Sequence, residues 1–594
     1  MSGFGAVFQA SPGVISREID LSNIVPGSSS SVGGFAGEFN WGQVPTDVSH
    51  LITVGSEKDL ISNFGKPSLA NAASFFTAAS FFNYGSALKV ARAISDDAVN
   101  AVDSGTAFVA KNLDHFNSLS SISSKFIARY PGTFGNSLRV SICSGATAFD
   151  SWEFASLFDY APGSTEAGDA EFGVADTLRA NDEIHVVVID KDGLFTGTKG
   201  TVLERYSGLS VAVDAKKFDG TNLYYKSVIN AQSAYIYVGT DTSFVNAGET
   251  LAAAKAIALA LTVTSGNRLG FAYVADVVSS TTVGYLPLTD VIDVSLSGGV
   301  DGTLSLANSE DALDFFKDSD IVDVSLLFAY PFADSKLYEV ANYRKDLVGF
   351  ISAPLSVATL PTEAAKLAAV LAKFRGPTYG SSSYIVFDSG PLYVYDKYHD
   401  AYVWIPACGH MAGLCANTDF VADPWFSPAG PNRGNIFGVT KLGFNPSKAS
   451  RDELFKNRIN PIVAFPGEGI LLFGDKTAQT KPSAFDHINV RRLFNVLKKS
   501  ISKAARYQLF ELNDEFTRAL FKNMTEPFLR DIKGRRGITD FAVICDSSNN
   551  TPQVIDTNNF VAEIYVAPAR SINGITLNFV ATRTGVNFSE IVKS

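Results

Sequence analysis

Apolar side chains recur at steps of three and four through residues 486–534. Val490, Leu493, Leu497, Ile501 and Ala504 share one face at the helical period, and Leu509 and Phe510 close the run. The spacing predicts two helices joined at Glu511–Asn513. Asn513 is placed to cap the second helix, with Asp514 and Glu515 in its first turn. Thr525-Glu526-Pro527 predicts a break and a fresh start, because proline lacks the amide hydrogen and crowds the preceding turn. Gly534 predicts the stop. The first helix carries Arg491, Arg492, Lys498, Lys499, Lys503 and Arg506, with no acid between His487 and Glu511. At about 100° per residue these six fall within an arc of roughly 140°, opposite the apolar stripe. A strip of like charge repels itself, and either a solvated surface or an acidic partner laid against it relieves that cost. The pattern alone leaves both readings open.

Elsewhere the periods are shorter. Residues 1–22 read as an arm: Ser11-Pro12-Gly13 turns, and Val14–Asp20 is a short strand with no sequence neighbour to pair with. From 23 to 95 the rhythm is α/β, with strands at Phe35–Trp41, Ser49–Val54 and Ala87–Ile94 and helices at Glu57–Phe64 and Asn71–Tyr84. Residues 96–345 behave as an insertion of short strands and long loops. Ile184–Asp190 is its buried strand, and Val202–Leu209, Tyr224–Asn230 and Ala234–Val238 follow as further short segments. Leu251–Val263 reads as a buried amphipathic helix, too short to span a bilayer. Residues 346–485 return to α/β, with a helix at Glu363–Arg375 and strands at Tyr384–Phe387 and Leu392–Tyr395. Residues 486–573 hold the helix pair and a strand at Thr539–Cys545. In 574–594 the residues Ile575, Leu577, Phe579 and Ala581 alternate on one face of a strand. The expected fold class is mixed α/β (α+β) and multidomain. Its core is built from N-terminal and C-terminal segments, with inserted β-rich domains and extended terminal arms. Extended ends carry unpaired backbone groups; they pair with a neighbour's sheet edge or fold back on their own domain.

Composition narrows the function. The 594 residues are 46% hydrophobic and 18% charged, with 45 Phe and a net charge of −11. That charge has the wrong sign for a dedicated nucleic-acid binder. Four scattered cysteines, Cys143, Cys408, Cys415 and Cys545, make no disulfide framework, and the N-terminus predicts no export signal. There is no P-loop, HExxH, GxSxG or paired CxxC. Cys408, His410 and Cys415 lie close together without an apparent fourth ligand, so CGHMAGLC reads as packing rather than a metal site. No cofactor is expected. A large chain with extended ends and no catalytic constellation points to a structural subunit. The rival readings are an enzyme and another kind of polymerising subunit.

Several stretches carry a family likeness: Ser11-Pro12-Gly13; YHDAYVWIPACGHMAGLCANTD at Tyr398–Asp419; SPAGPNRG at Ser427–Gly434; Gly474-Asp475-Lys476-Thr477-Ala478; INVRRLFNVL at Ile488–Leu497; and PARSINGITLNFVATRT at Pro568–Thr584. The chain resembles the contractile tail sheath proteins of tailed phages, most closely the large T-even type. The likeness covers about the first 95 residues and nearly all of the last 240. It implies a virion tail protein, assembled in the host cytoplasm, that stacks as hexameric rings around a tail tube and contracts on a baseplate signal. The implied partners are copies of itself, the tube, and the baseplate and tail-terminator or neck proteins, with no direct nucleic-acid contact and no membrane span. The resemblance also implies arms exchanged between neighbours, here through Val14, Ile15, Arg17 and Ile19 and through Ile575, Leu577, Phe579 and Ala581. It implies a tube-facing helix as well, for which the six basic residues above are the candidates.

Overall fold

The computed structural model describes residues 30–105, 108–119, 122–172, 178–239, 250–253, 267–268, 271–275, 282–286, 291–331 and 333–573. The arm strands at 14–20 and 575–582, and most of 251–263, lie outside them. Two compact units result: one is residues 30–491, and the described part of the other is 492–573.

The larger unit is organised on a seven-stranded sheet. Its order is Ile52–Val54, Leu88–Ala93, Gly33–Glu38, Leu326–Tyr330, Val348–Ile351, Ile385–Asp388 and Ile459–Asn460. All neighbours are parallel except the first pair. Strands buried on both faces explain the unbroken apolar runs. Side chains alternate between two packed faces. On one, Val90, Phe35, Phe328, Phe350 and Val386 stand in register across five strands, with the Phe35 and Phe328 rings 5.1 Å apart. Helices Ala72–Phe81 and Cys408–Val421 cover that face. On the other, Ala36, Ala91 and Ala329 leave room for helices Leu306–Asp314, Asp334–Arg344 and Glu363–Arg375. Glu57–Phe64 and Glu363–Arg375 form where their pattern predicts, capped by the Ser56 and Thr362 hydroxyls on Asp59 N and Ala365 N.

The strand Leu326–Tyr330 and its flanking helices fall within 96–345, yet they belong to this sheet and its covering layer. A separate antiparallel sheet is built from Ile292–Ser295, Leu138–Cys143, Glu183–Asp190 and Thr201–Ser210. Its strand Glu183–Asp190 is buried along its whole length. Of the short segment Tyr224–Asn230, residues 225–230 fall in a helix, Tyr225–Gln232, with Tyr225 and Ile229 buried. Tyr225 and Ile229 are four residues apart, a spacing that fits one face of a helix as well as one face of a strand.

This sheet joins the core through buried contacts. Arg92, at the end of Leu88–Ala93, donates to the carbonyls of Phe39, Gly42 and Pro131 at 3.0, 2.8 and 2.8 Å. Burial draws its guanidinium down to about 10. Trp41 packs against Tyr130, Phe195 and Tyr235. The carboxyl ends of Gly33–Glu38 and Leu88–Ala93, the side on which doubly wound sheets commonly take ligands, here carry this protein contact.

Candidate functional site

The Cys408–Val421 helix settles the nature of CGHMAGLC. Gly409 and Gly413 lie one turn apart, and a Cβ on either would collide, with the Thr77 carbonyl and with the Tyr84 ring respectively. The glycines therefore permit close packing of two helices. His410 is buried, with Nδ1 3.1 Å from the Tyr84 hydroxyl; burial alone lowers it to about 3, so the ring is neutral. Cys408 is fully buried and its thiol is pushed up by burial and by Asp388 beside it, which disfavours the thiolate that a ligand or nucleophile needs. Among the described residues no three His, Cys, Asp or Glu side chains are grouped to hold a metal. Among them too, no helix is long and apolar enough to cross a membrane.

A polar clasp precedes the basic helix. The Ser427 hydroxyl donates to Asp475 Oδ2 at 3.0 Å, His487 Nδ1 lies 3.0 Å from Asp475 Oδ1, and Lys476 Nζ lies 3.1 Å from Asp486 Oδ2. The hydroxyl faces the carboxylate and not the imidazole, so this is no activated nucleophile. It fastens the loop before Ile488.

The basic helix runs Ile488–Ala505 and ends in a 3-10 turn, Arg506–Gln508. Its six cations do not form one exposed strip. Ile488, Asn489, Val490 and Arg491 are all buried, and so is Arg492. The Arg491 guanidinium lies over the Tyr384 and Phe485 rings, 4.3 and 4.0 Å from their centroids, and donates to the Tyr384 hydroxyl at 3.2 Å. Burial lowers its pKa. Lys498, Lys503 and Arg506 are exposed and Lys499 is half-buried. The surface cations therefore number four, on the helix's later turns. A helical projection gives the angle around the axis but not the depth along it.

The second helix is Glu515–Gly534, and it starts one residue later than expected. Asp514 caps it, accepting from Thr517 N at 2.8 Å, while the Asn513 amide donates to the Asn559 carbonyl instead. The helix continues through Pro527. Phe521, Met524, Leu529 and Ile532 are buried on both sides of the proline, and Pro527 and Asn523 are exposed, so the carbonyl that loses its donor faces water. Gly534 is the last helical residue, and the left-handed residue beyond it is Arg536, at φ 66°.

This helix backs a two-stranded antiparallel sheet, Ile538–Ile544 with Glu563–Pro568, through Phe521, Met524, Cys545 and Phe560. Among the described residues neither strand has a second neighbour. Sequence reasoning passed over the turn between the two helices. Tyr507, Leu509, Phe510, Leu512 and Phe516 are all exposed, and Phe510 adopts φ 69°. The signal was legible as a dense run of large apolar residues between two helices whose apolar faces were already complete.

Comparison with known proteins bears on both units. Residues 340–478 match the family model of the phage tail sheath protein central domain, and residues 480–582 match that of the phage tail sheath C-terminal domain. The tail sheath protein of Salmonella phage ViI is 33% identical over 641 residues, covering 98% of each chain. That of Vibrio phage KVP40 is 31% identical over 714 residues, covering 98% of this chain and 99% of its own. The crystal structure of the sheath tail protein from Desulfitobacterium hafniense shares the fold at a TM-score of 0.52, with 12% identity, covering 94% of this chain and 97% of that one. The chain belongs to the phage tail sheath protein family, as a structural subunit and not an enzyme.

Proposed function

We propose that the protein polymerises as hexameric rings stacked helically around a tail tube, in an extended state that contracts on a baseplate signal to drive the tube through the host envelope. It is assembled in the host cytoplasm and resides in the virion tail. The observation that carries this reading is identity above 30% to tail sheath proteins across 98% of the chain. The energy of contraction is stored in a metastable lattice behind a kinetic barrier, with no nucleotide consumed. Neighbours are linked by arms. The strands at 14–20 and 575–582 add to the Ile538–Ile544 and Glu563–Pro568 sheet of an adjacent copy. Among the described residues this sheet has only these two strands, which are marginal alone and leave both outer edges unpaired.

The tube contact is made by Lys498, Lys499, Lys503 and Arg506. Arg491 and Arg492, buried in the subunit, hold the helix in place. Each exposed ion pair contributes only ~0.2–1 kcal/mol, but repetition along a lattice fixes register through avidity. The test is the triple charge reversal K498E/K499E/K503E. Assembly on purified tubes should fail while the subunit stays folded, and normal sheathed tubes would refute the contact.

A further inference from the structure

Arg451 stands on the helix Lys448–Lys456, and its guanidinium lies over the Phe465 and Phe473 rings, 5.3 and 5.8 Å from their centroids. Both rings come from the hairpin of Ile462–Phe465 with Gly469–Leu472 and the residue after it, and they meet edge to face at 5.2 Å. Lys448 lies one turn earlier on the helix and is exposed. Among the described residues neither cation has a carboxylate partner. The acids beside them are committed elsewhere: Glu453 to Arg375 at 2.6 Å, and Glu363 to Ser447 N and the Ser450 hydroxyl. Aromatic faces hold an arginine without using its N–H groups, so the fork stays open to a bidentate carboxylate.

The same chain carries the complement. Asp311, on the helix Leu306–Asp314, and Asp318, on the turn after it, are exposed. Asp318 accepts the Asp320 amide, and among the described residues neither aspartate has a cation partner. The lysines nearby are taken, Lys336 by Asp314 at 3.0 Å and Lys317 by Glu339 at 3.5 Å. Leu306 and Ile321 add exposed apolar surface on this side, as Phe473 does beside Arg451. Both patches belong to the helical layer on one face of the seven-stranded sheet, through Leu313 and Leu454. They stand toward opposite ends of it: Leu306–Asp314 packs on Leu88–Ala93 and Gly33–Glu38, whereas Lys448–Lys456 packs on Ile459–Asn460. At about 4.8 Å per strand spacing the separation is roughly 19–24 Å, so the patches cannot pair within one subunit.

We infer that the Lys448–Arg451 patch of one copy docks head to tail on the Asp311–Asp318 patch of the next. The inference rests on the reading that copies polymerise. Charge selects the occupant. With 60 acids against 49 Lys and Arg the copies repel at large, so a contact that repeats between them has to bring unlike patches together. Because the two sides of the contact differ, it is heterologous and propagates as a ring or helix instead of closing a dimer. Each pair is weak and screened by salt. Repeated along a lattice, the pairs set the direction and spacing of neighbours.

The test is self-polymerisation of the full-length protein without tubes, read as the critical concentration by sedimentation over a salt series. K448E/R451E and D311K/D318K should each raise it about ten-fold at low salt, two exposed pairs having turned from attractive to repulsive. The variant carrying both reversals should return to within about three-fold of wild type, since the charges again match. Thermal midpoints near wild type show that the subunits stay folded. Should K448E/R451E fold poorly, K448E alone leaves Arg451 on its rings and should raise the critical concentration about three-fold. Wild-type critical concentrations for the separate reversals overturn the contact, and so does a combined variant no better than the worse of its parents. If K448E/R451E polymerises normally and fails only on tubes, the patch serves the tube and the contact between copies falls. If wild type itself does not polymerise, the contact and the reading beneath it both fall.

Discussion

Replacing Arg92 with Met should loosen the joint between the seven-stranded sheet and the antiparallel sheet inserted after it. The guanidinium makes hydrogen bonds of 3.0, 2.8 and 2.8 Å to three carbonyls contributed by two separate stretches of chain. Hydrogen bonds to a charged group contribute about 1.5–3 kcal/mol each, desolvation included, so the three together supply at most roughly 6 kcal/mol. Full burial of the charge, which draws the guanidinium down to about 10, keeps the sum toward the lower end of that range. Methionine has no charge to bury but leaves three carbonyls short of a donor. The net loss is therefore about 3 kcal/mol, in the range for breaking one side of a buried polar cluster. Urea denaturation followed by tryptophan fluorescence measures it, because Trp41 sits in the same joint. Arg92→Lys should recover less than half, since an ammonium cannot span three divergent carbonyls. A loss below about 1 kcal/mol, or full recovery by lysine, would refute the argument.

Two further predictions concern the Cys408–Val421 helix. Gly409→Ala places a methyl group against the Thr77 carbonyl and should cost roughly 1–3 kcal/mol by overpacking, read as a lower thermal midpoint than for Ala412→Gly. His410 is neutral in the fold and, once unfolded, protonates near 6.5. Its depressed folded pKa means stability is lost as pH falls below 6.5, by about 2 kcal/mol between pH 7 and pH 5. Asp388, raised by burial to about 7, acts oppositely, since its protonation on acidification relieves a buried charge. Over that interval His410→Gln should therefore gain about 2 kcal/mol more stability on acidification than wild type. Parallel pH profiles for the two proteins would refute the assignment.

Much of this architecture was legible because local signals agreed with the tertiary fold. Glu57–Phe64 and Glu363–Arg375 carry hydroxyl caps, acidic first turns and uninterrupted helical sequence, and the phenylalanine-rich strands announce a sheet buried on both faces. The misreadings share a cause, which is that spacing does not report what lies opposite. Asn513 is as good a cap as Asp514, and only the position of the Asn559 carbonyl decides between them. Pro527 ends a helix in isolation, but here it falls on the wet side of one held by buried residues before and after it. Arg491 and Arg492 share an arc with the exposed lysines yet lie at the buried end of their helix. The exposed side chains of Leu509 and Phe510 read as helix closure, because apolar residues are presumed to face a core until exposure is known.

The link between copies is tested most directly by placing a photo-crosslinking residue at Ile15 and assembling sheaths from an equal mixture of light and heavy isotope-labelled subunits. The account predicts light–heavy peptide pairs joining the arm to residues 538–568. Cross-links confined to light–light and heavy–heavy pairs would mean that each arm stays on its own subunit, and would contradict it.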